Sequence, residues 1–87
     1  MKVKLLLFGT QGCHLCELAE ALVERCLVET ADVTIDRIDI AEHTEWQDRY
    51  AIRIPVLLDQ ASGREIGWPF DADEVLRFID AAKRQTH

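Results

Sequence analysis

Apolar positions along the chain fall into segments of two distinct periods. Val3, Leu5, Leu6, Leu7 and Phe8 form a short run that stops at Gly9, which is strand length and reads as a buried first strand over 3–9. Gly9-Thr10-Gln11-Gly12 is a flexible turn. Residues 14–28 then switch to a helical period, with Leu15, Leu18, Leu22 and Cys26 at i, i+3, i+7 and i+11 and Ala19 and Val23 alongside. This spacing predicts one apolar stripe, with Glu17, Glu20, Glu24 and Arg25 on the wet face.

Val33-Thr34-Ile35-Asp36-Arg37-Ile38-Asp39-Ile40 is rich in β-branched residues and predicts a second strand. A short helix is expected over 42–51, with Trp46 and Tyr50 four apart on one face. Pro55 heads a third strand, Val56-Leu57-Leu58, a position that need not donate to the ladder. A turn over Asp59 to Gly63 leads into a weaker fourth strand, Arg64 to Trp68. The last helix is marked by Asp71 as N-cap with Glu74 three residues later, the pattern of a capping box. Phe70 and Val75 are placed for a hydrophobic staple, and Val75, Phe78, Ile79 and Ala82 make the buried face. The resulting order is β-α-β-α-β-β-α. Its first half is a parallel unit with a crossover, and its second half closes with a hairpin.

Length changes this picture little: 87 residues make a single domain over 1–87. The charge excludes more. Asp and Glu number 16 against 10 Lys and Arg, a net charge of -6, which argues against duplex nucleic acid as a partner because phosphates attract Lys and Arg. The apolar run after Met1 and Lys2 ends at Gly9, too early for a secretory h-region of roughly 7–15 apolar residues. No stretch approaches the ~20 apolar residues of a membrane span. The expectation is a cytoplasmic protein with no membrane partner.

The three cysteines are an odd count, which argues against a complete structural disulfide framework. In a reducing compartment a close pair is more often catalytic or metal-binding. Cys13-His14-Leu15-Cys16 falls where the first strand hands over to the first helix. A helix N-terminus favours an anion, and the thiolate is the reactive form of cysteine. Cys13 is therefore the expected nucleophile and Cys16, one turn on, the resolving cysteine. Zinc sites also use C-x-x-C, but a structural zinc wants four ligands and the only obvious extras are Cys26, His14 and His43. No metal is expected. Cys26 continues the apolar stripe and reads as a small core residue. His14, between the cysteines, is either a modulator of the thiol pKa or a solvated surface histidine.

Together these residues resemble the glutaredoxin-like branch of the thioredoxin superfamily, over nearly the whole chain. The resemblance rests on Cys13–Cys16 after the first strand, on Asp39 at the end of the second, and on Tyr50-Ala51-Ile52-Arg53-Ile54-Pro55-Val56-Leu57. The chain is most similar to a small glutaredoxin-like group with a C-H-L-C motif and a later Pro-Phe-Asp, here Pro69-Phe70-Asp71. The resemblance implies an α/β fold of thioredoxin-like, glutaredoxin type: a four-stranded mixed sheet flanked by three helices. It implies a cis Ile54–Pro55 bond facing the cysteines, with the Ile54 backbone open to an added substrate strand. Aligned with the family's glutathione motif, Gly67 and Asp71 match, whereas Trp68 replaces a glycine. Thr10 stands where a lysine is common, and Arg53 is a candidate replacement cation. The implied substrate or glutathione site is Arg53, Ile54, Pro55, Gly67, Trp68 and Asp71.

The implied activity is thiol–disulfide exchange on a protein or low-molecular-weight disulfide. It requires no cofactor, and glutathione is a candidate co-substrate. Two other classes remain open. One is a non-catalytic thioredoxin-fold module recognising one protein partner, the other metal or iron–sulfur handling through Cys13.

Overall fold

The apolar run at the start of the chain feeds two cores at once. In strand β1 (Val3–Gly9), Leu5 and Leu7 enter one cluster with Val23, Leu57, Phe78 and Ile79. The alternate residues Leu6 and Phe8 enter a second cluster with Ile40, Tyr50, Val56 and Leu58. Successive side chains on a strand point to opposite faces, so a strand covered on both faces reads as an unbroken apolar run. The computed structural model describes residues 3–28, 30, 32–50 and 53–84.

β1 is flanked by β2 (Val33–Asp39) and β3 (Val56–Asp59), and β4 (Arg64–Gly67) completes a four-stranded sheet of order β2-β1-β3-β4. β1 and β2 are parallel, from Val3 opposite Val33 to Gly9 opposite Asp39. β3 is antiparallel to both neighbours, with Val56 facing Phe8 on one side and Gly67 on the other. The sheet is thus mixed, and the expected element order is the one observed. Helices α1 (His14–Leu27) and α3 (Ala72–Arg84) cover the first core, and α2 (Thr44–Tyr50) covers the second. Among the described residues no helix is long and apolar enough to cross a membrane.

Two local expectations are corrected. The second strand ends at Asp39, and Ile40–Glu42 wind into a 3-10 turn before α2. The cause is the Asp39 carboxylate, which accepts the Ala41 N–H at 2.9 Å and turns the chain at once. Ala51, the last residue of the helix expected over 42–51, lies outside the described residues, as do Ile52, Met1, Lys2 and residues 85–87.

The second correction concerns α1. Its buried residues are Ala19, Val23 and Cys26, whereas Leu15 and Leu18 are 46% and 45% exposed. At about 100° per residue the buried stripe is the one that continues backwards to Cys16, at i, i+3, i+7 and i+10. The leucine stripe is rotated away from the sheet. Small Ala19, fully buried, allows a close helix–sheet approach that a leucine there would prevent.

The last helix forms as the sequence predicts. The Asp71 carboxylate accepts the Glu74 N–H at 2.8 Å, satisfying one of the first-turn donors that a helix leaves unpaired. Phe70 and Val75 are buried in one cluster, and Val75, Phe78, Ile79 and Ala82 form the buried face.

Candidate functional site

The turn after β1 sets the cysteine pair. Gly12 takes a left-handed backbone conformation with φ 77°, which glycine adopts without the Cβ penalty of other residues. Cys13 follows in extended conformation as the N-cap of α1. Its Sγ accepts the backbone N–H of Cys16 at 3.1 Å, in the manner of an N-cap oxygen. The Cys13 and Cys16 sulfurs are at disulfide distance, with Cα atoms 5.2 Å apart. A sulfur held by an amide donor at the positive end of a 14-residue helix is placed where a thiolate is stabilised.

Gly9 completes this arrangement. A Cβ on Gly9 would meet Cys16 Sγ at 3.1 Å and Cys16 Cβ at 3.2 Å, closer than ordinary contact. The end of β1 therefore leaves the space that Cys16 needs when turned toward the sheet. The sequence pattern puts Gly9 at the junction of strand and turn and assigns it no part in seating Cys16. A strand ending in glycine four residues before Cys13 was the available signal for close approach.

The remaining site residues come together through the sheet register. Continuing the pairs Phe8–Val56 and Val56–Gly67 by one step aligns Gly9, Pro55 and Trp68 in one row, at the end where the cysteine loop begins. The Trp68 N–H donates to the Pro55 carbonyl at 3.0 Å, and both Ile54–Pro55 and Trp68–Pro69 are cis. The Ile54 N–H donates to the Tyr50 carbonyl at 3.1 Å. A substrate strand pairing with Ile54 would therefore meet a donor already engaged within the chain.

The Trp68 indole is half-buried, with its ring edge-on to Phe70 at 5.2 Å. Gly67 is exposed, and a Cβ there would meet nothing within 4 Å. Asp71 acts as the cap of α3. Arg53 is turned to Glu65 at 2.7 Å and lies over the Tyr50 ring at 5.6 Å. The candidate replacement cation is thus already paired. His14 projects into solvent, with Nδ1 3.8 Å from Glu17 Oε2. Cys26 is buried with its thiol 3.9 Å from the Ala72 carbonyl, and burial pushes its pKa up, only partly offset by Arg25. A raised pKa leaves less of this thiol in the reactive thiolate form. Among the described residues, no three His, Cys, Asp or Glu side chains form a group that could hold a metal ion.

Two features beside the site were not visible in the sequence. A cleft of about 510 Å³ opens on the Cys16 side, lined by Gly9, Cys16, Glu20, Arg37 and Asp39 among others, with Arg37 ion-paired to Glu20. Behind the Pro55 turn lies a polar network. The Tyr50 hydroxyl donates to Glu65 at 2.6 Å, and Arg49 and Arg53 lie 3.9 and 2.7 Å from the same carboxylate. Burial, then the hydrogen bond to Glu65, pushes the Tyr50 phenol up to about 12. The same hydrogen bond is the main cause that lowers the Glu65 pKa, against the opposing effect of burial.

Comparison with known proteins places these features in a family. The family described as Glutaredoxin-like domain (DUF836) matches residues 4–80. The structural-genomics target protein XcR50 from X. campestris is 32% identical, with TM-score 0.75 over 90% of this chain and 97% of its own. Protein Ne2328 from Nitrosomonas europaea is 25% identical, with TM-score 0.73 over 90% of this chain and 92% of its own. Thioredoxin 1 from Thermosipho africanus, at 16% identity and TM-score 0.70 over 95% of this chain and 97% of its own, shares the fold. Comparison with the curated proteins gives no match.

Proposed function

Because this chain belongs to the glutaredoxin-like (DUF836) family of thioredoxin-fold proteins, we propose that it is a dithiol–disulfide oxidoreductase. The observation that carries this reading is the Cys13 sulfur, seated at the α1 N-cap with the Cys16 amide on it and the Cys16 sulfur at disulfide distance. The Cys13 thiolate attacks a substrate disulfide and forms a mixed disulfide, expelling one substrate thiolate. The Cys16 thiolate then attacks the Cys13 sulfur and expels the second, leaving the protein disulfide. Two electrons pass from the Cys13–Cys16 dithiol to the substrate, and an external thiol reductant restores the pair. The reducing environment this cycle needs is that of the cytoplasm.

Protein disulfides are the favoured substrates. Leu15 and Leu18 stand exposed on the first turns of α1 beside the pair, an apolar surface suited to a protein partner. Glutathione remains a candidate co-substrate through the Ile54–Pro55 backbone.

The test is a Cys16→Ser variant, which stops the cycle at the mixed disulfide. Capture of several proteins, together with a Cys13 alkylation profile inflecting below the ~8.5 of a free thiol, supports the oxidoreductase. Capture of a single protein points to a one-partner module. An ordinary Cys13 pKa with no reaction toward a peptide disulfide refutes the activity.

A further inference from the structure

The turn that carries Pro55 is tied down from several directions, and a single carboxylate takes two of the ties. The Tyr50 carbonyl accepts both the Arg53 and Ile54 N–H groups, at 2.8 and 3.1 Å. Tyr50 itself is fully buried and stacks on Phe8 at 4.5 Å. On the far side the Pro55 carbonyl takes the Trp68 N–H. What remains is the Arg53 side chain and the tyrosine hydroxyl, and both end on Glu65 of β4, one on each carboxylate oxygen. Glu65 is 19% exposed at its side chain.

We infer that Glu65 is a positioning residue for the Arg53–Pro55 turn, holding through Arg53 and Tyr50 the backbone that a disulfide substrate docks on. The inference rests on the dithiol–disulfide reading and deepens it. Glu65 touches neither cysteine nor substrate; its effect passes through the turn alone. Arg49 and Arg53 both approach the Tyr50 ring, at 5.3 and 5.6 Å. Without the carboxylate, both guanidinium groups would remain beside that ring with the one negative charge they share removed. Like charges repel, and a buried phenol left without its acceptor is costly. The turn would then move away from the Gly9–Pro55–Trp68 row. Glu65→Gln keeps the shape but leaves one acceptor oxygen for two donors and removes the charge. Tyr50→Phe removes the second donor to the same carboxylate.

The experiment mixes pre-reduced protein with a peptide carrying one intrachain disulfide, under single-turnover conditions at varied peptide concentration. Both variants are expected to raise the half-saturating peptide concentration by roughly tenfold, the scale of one lost hydrogen bond to a charged group. The limiting rate and the pH profile of Cys13 alkylation should stay at the wild-type values. A general loss of structure would instead change the alkylation profile and the limiting rate, and that result overturns the positioning role. Half-saturation unchanged in both variants also overturns it while leaving the oxidoreductase reading intact. Failure of the wild-type protein to react overturns both.

Discussion

Adding a single methyl group at Gly9 tests the site geometry directly. In Gly9→Ala the new Cβ would lie 3.1 Å from Cys16 Sγ and 3.2 Å from Cys16 Cβ. Gly9 has no positive φ, so alanine fits the backbone and the perturbation is confined to those contacts. Overpacking of this kind costs roughly 1–3 kcal/mol. The cost divides between two contacts with different redox dependence. The contact to Cβ is present whether the pair is reduced or oxidised, because α1 fixes that atom. The contact to Sγ belongs to the rotamer that brings the sulfurs together, and a free thiol can rotate out of it. The gain of roughly 0.4–1 kcal/mol from stiffening the unfolded chain applies equally to both redox states and cancels. On this division the oxidised protein loses about 1 kcal/mol more than the reduced protein. At 30 mV per 1.4 kcal/mol for a two-electron couple, the reduction potential rises by roughly 20 mV. Equilibration in dithiothreitol or glutathione redox buffers, read by alkylation and mass, measures the potential. Urea melts of both forms must give the same difference independently. An unchanged potential with equal stability losses in the two forms would refute the argument that Cys16 is seated on Gly9.

Three further outcomes follow from the same geometry. Tyr50, with its phenol pushed up to about 12 from 10, contributes stability that is full below the unfolded value and lost as pH rises through the folded one. That amounts to roughly 3 kcal/mol, so urea melts of the wild-type protein should weaken through this alkaline window and those of Tyr50→Phe should not. Asp71→Ala removes the cap on Glu74 N–H and should cost about 1 kcal/mol in the same melts. A loss below the error of the measurement would leave the cap without energetic weight. Trp68→Gly clears the indole from the sheet end, and glutathione titration should then give larger chemical-shift changes at Ile54 and Cys13 than in the wild-type protein. Equal affinities in the two proteins would show that the indole does not obstruct.

The sequence was most legible where independent signals agreed. At α3 the cap at Asp71, the apolar residue before it and the helical stripe all mark the same element, and agreement of this kind is what specifies a fold. The cysteine pair was legible because a strand-to-helix handover is itself a pattern of period, changing at Cys13. The face of α1 was not. Two stripes satisfy the helical period, Leu15-Leu18-Leu22-Cys26 and Cys16-Ala19-Val23-Cys26, and they share Cys26. Hydrophobicity favours the leucines, whereas packing favours the smaller residues, which let the helix lie close to the sheet. The Tyr50–Glu65 contact was hidden for a different reason. The two residues are separated by all of β3, and only the register of a four-residue strand brings them together.

That misread rotation bears on the chemistry as well as on the packing. Turning the helix to bury Ala19 and Val23 moves Cys16 toward Gly9 and leaves Leu15 and Leu18 facing outward. Arg53 for its part is turned toward Glu65. The consequence is a surface around Cys13 with apolar residues on the helix side and with Arg53, the candidate replacement cation, already paired. Thr10 supplies no charge in its place. Glutathione carries net negative charge at neutral pH and would meet a chain of net charge -6, with nothing at these positions to offset the repulsion. A protein disulfide can instead cover Leu15 and Leu18 as it docks and draw on apolar burial. The rotation of one helix and the pairing of one arginine therefore weigh in the same direction, in favour of the proposal that Cys13 acts on protein disulfides.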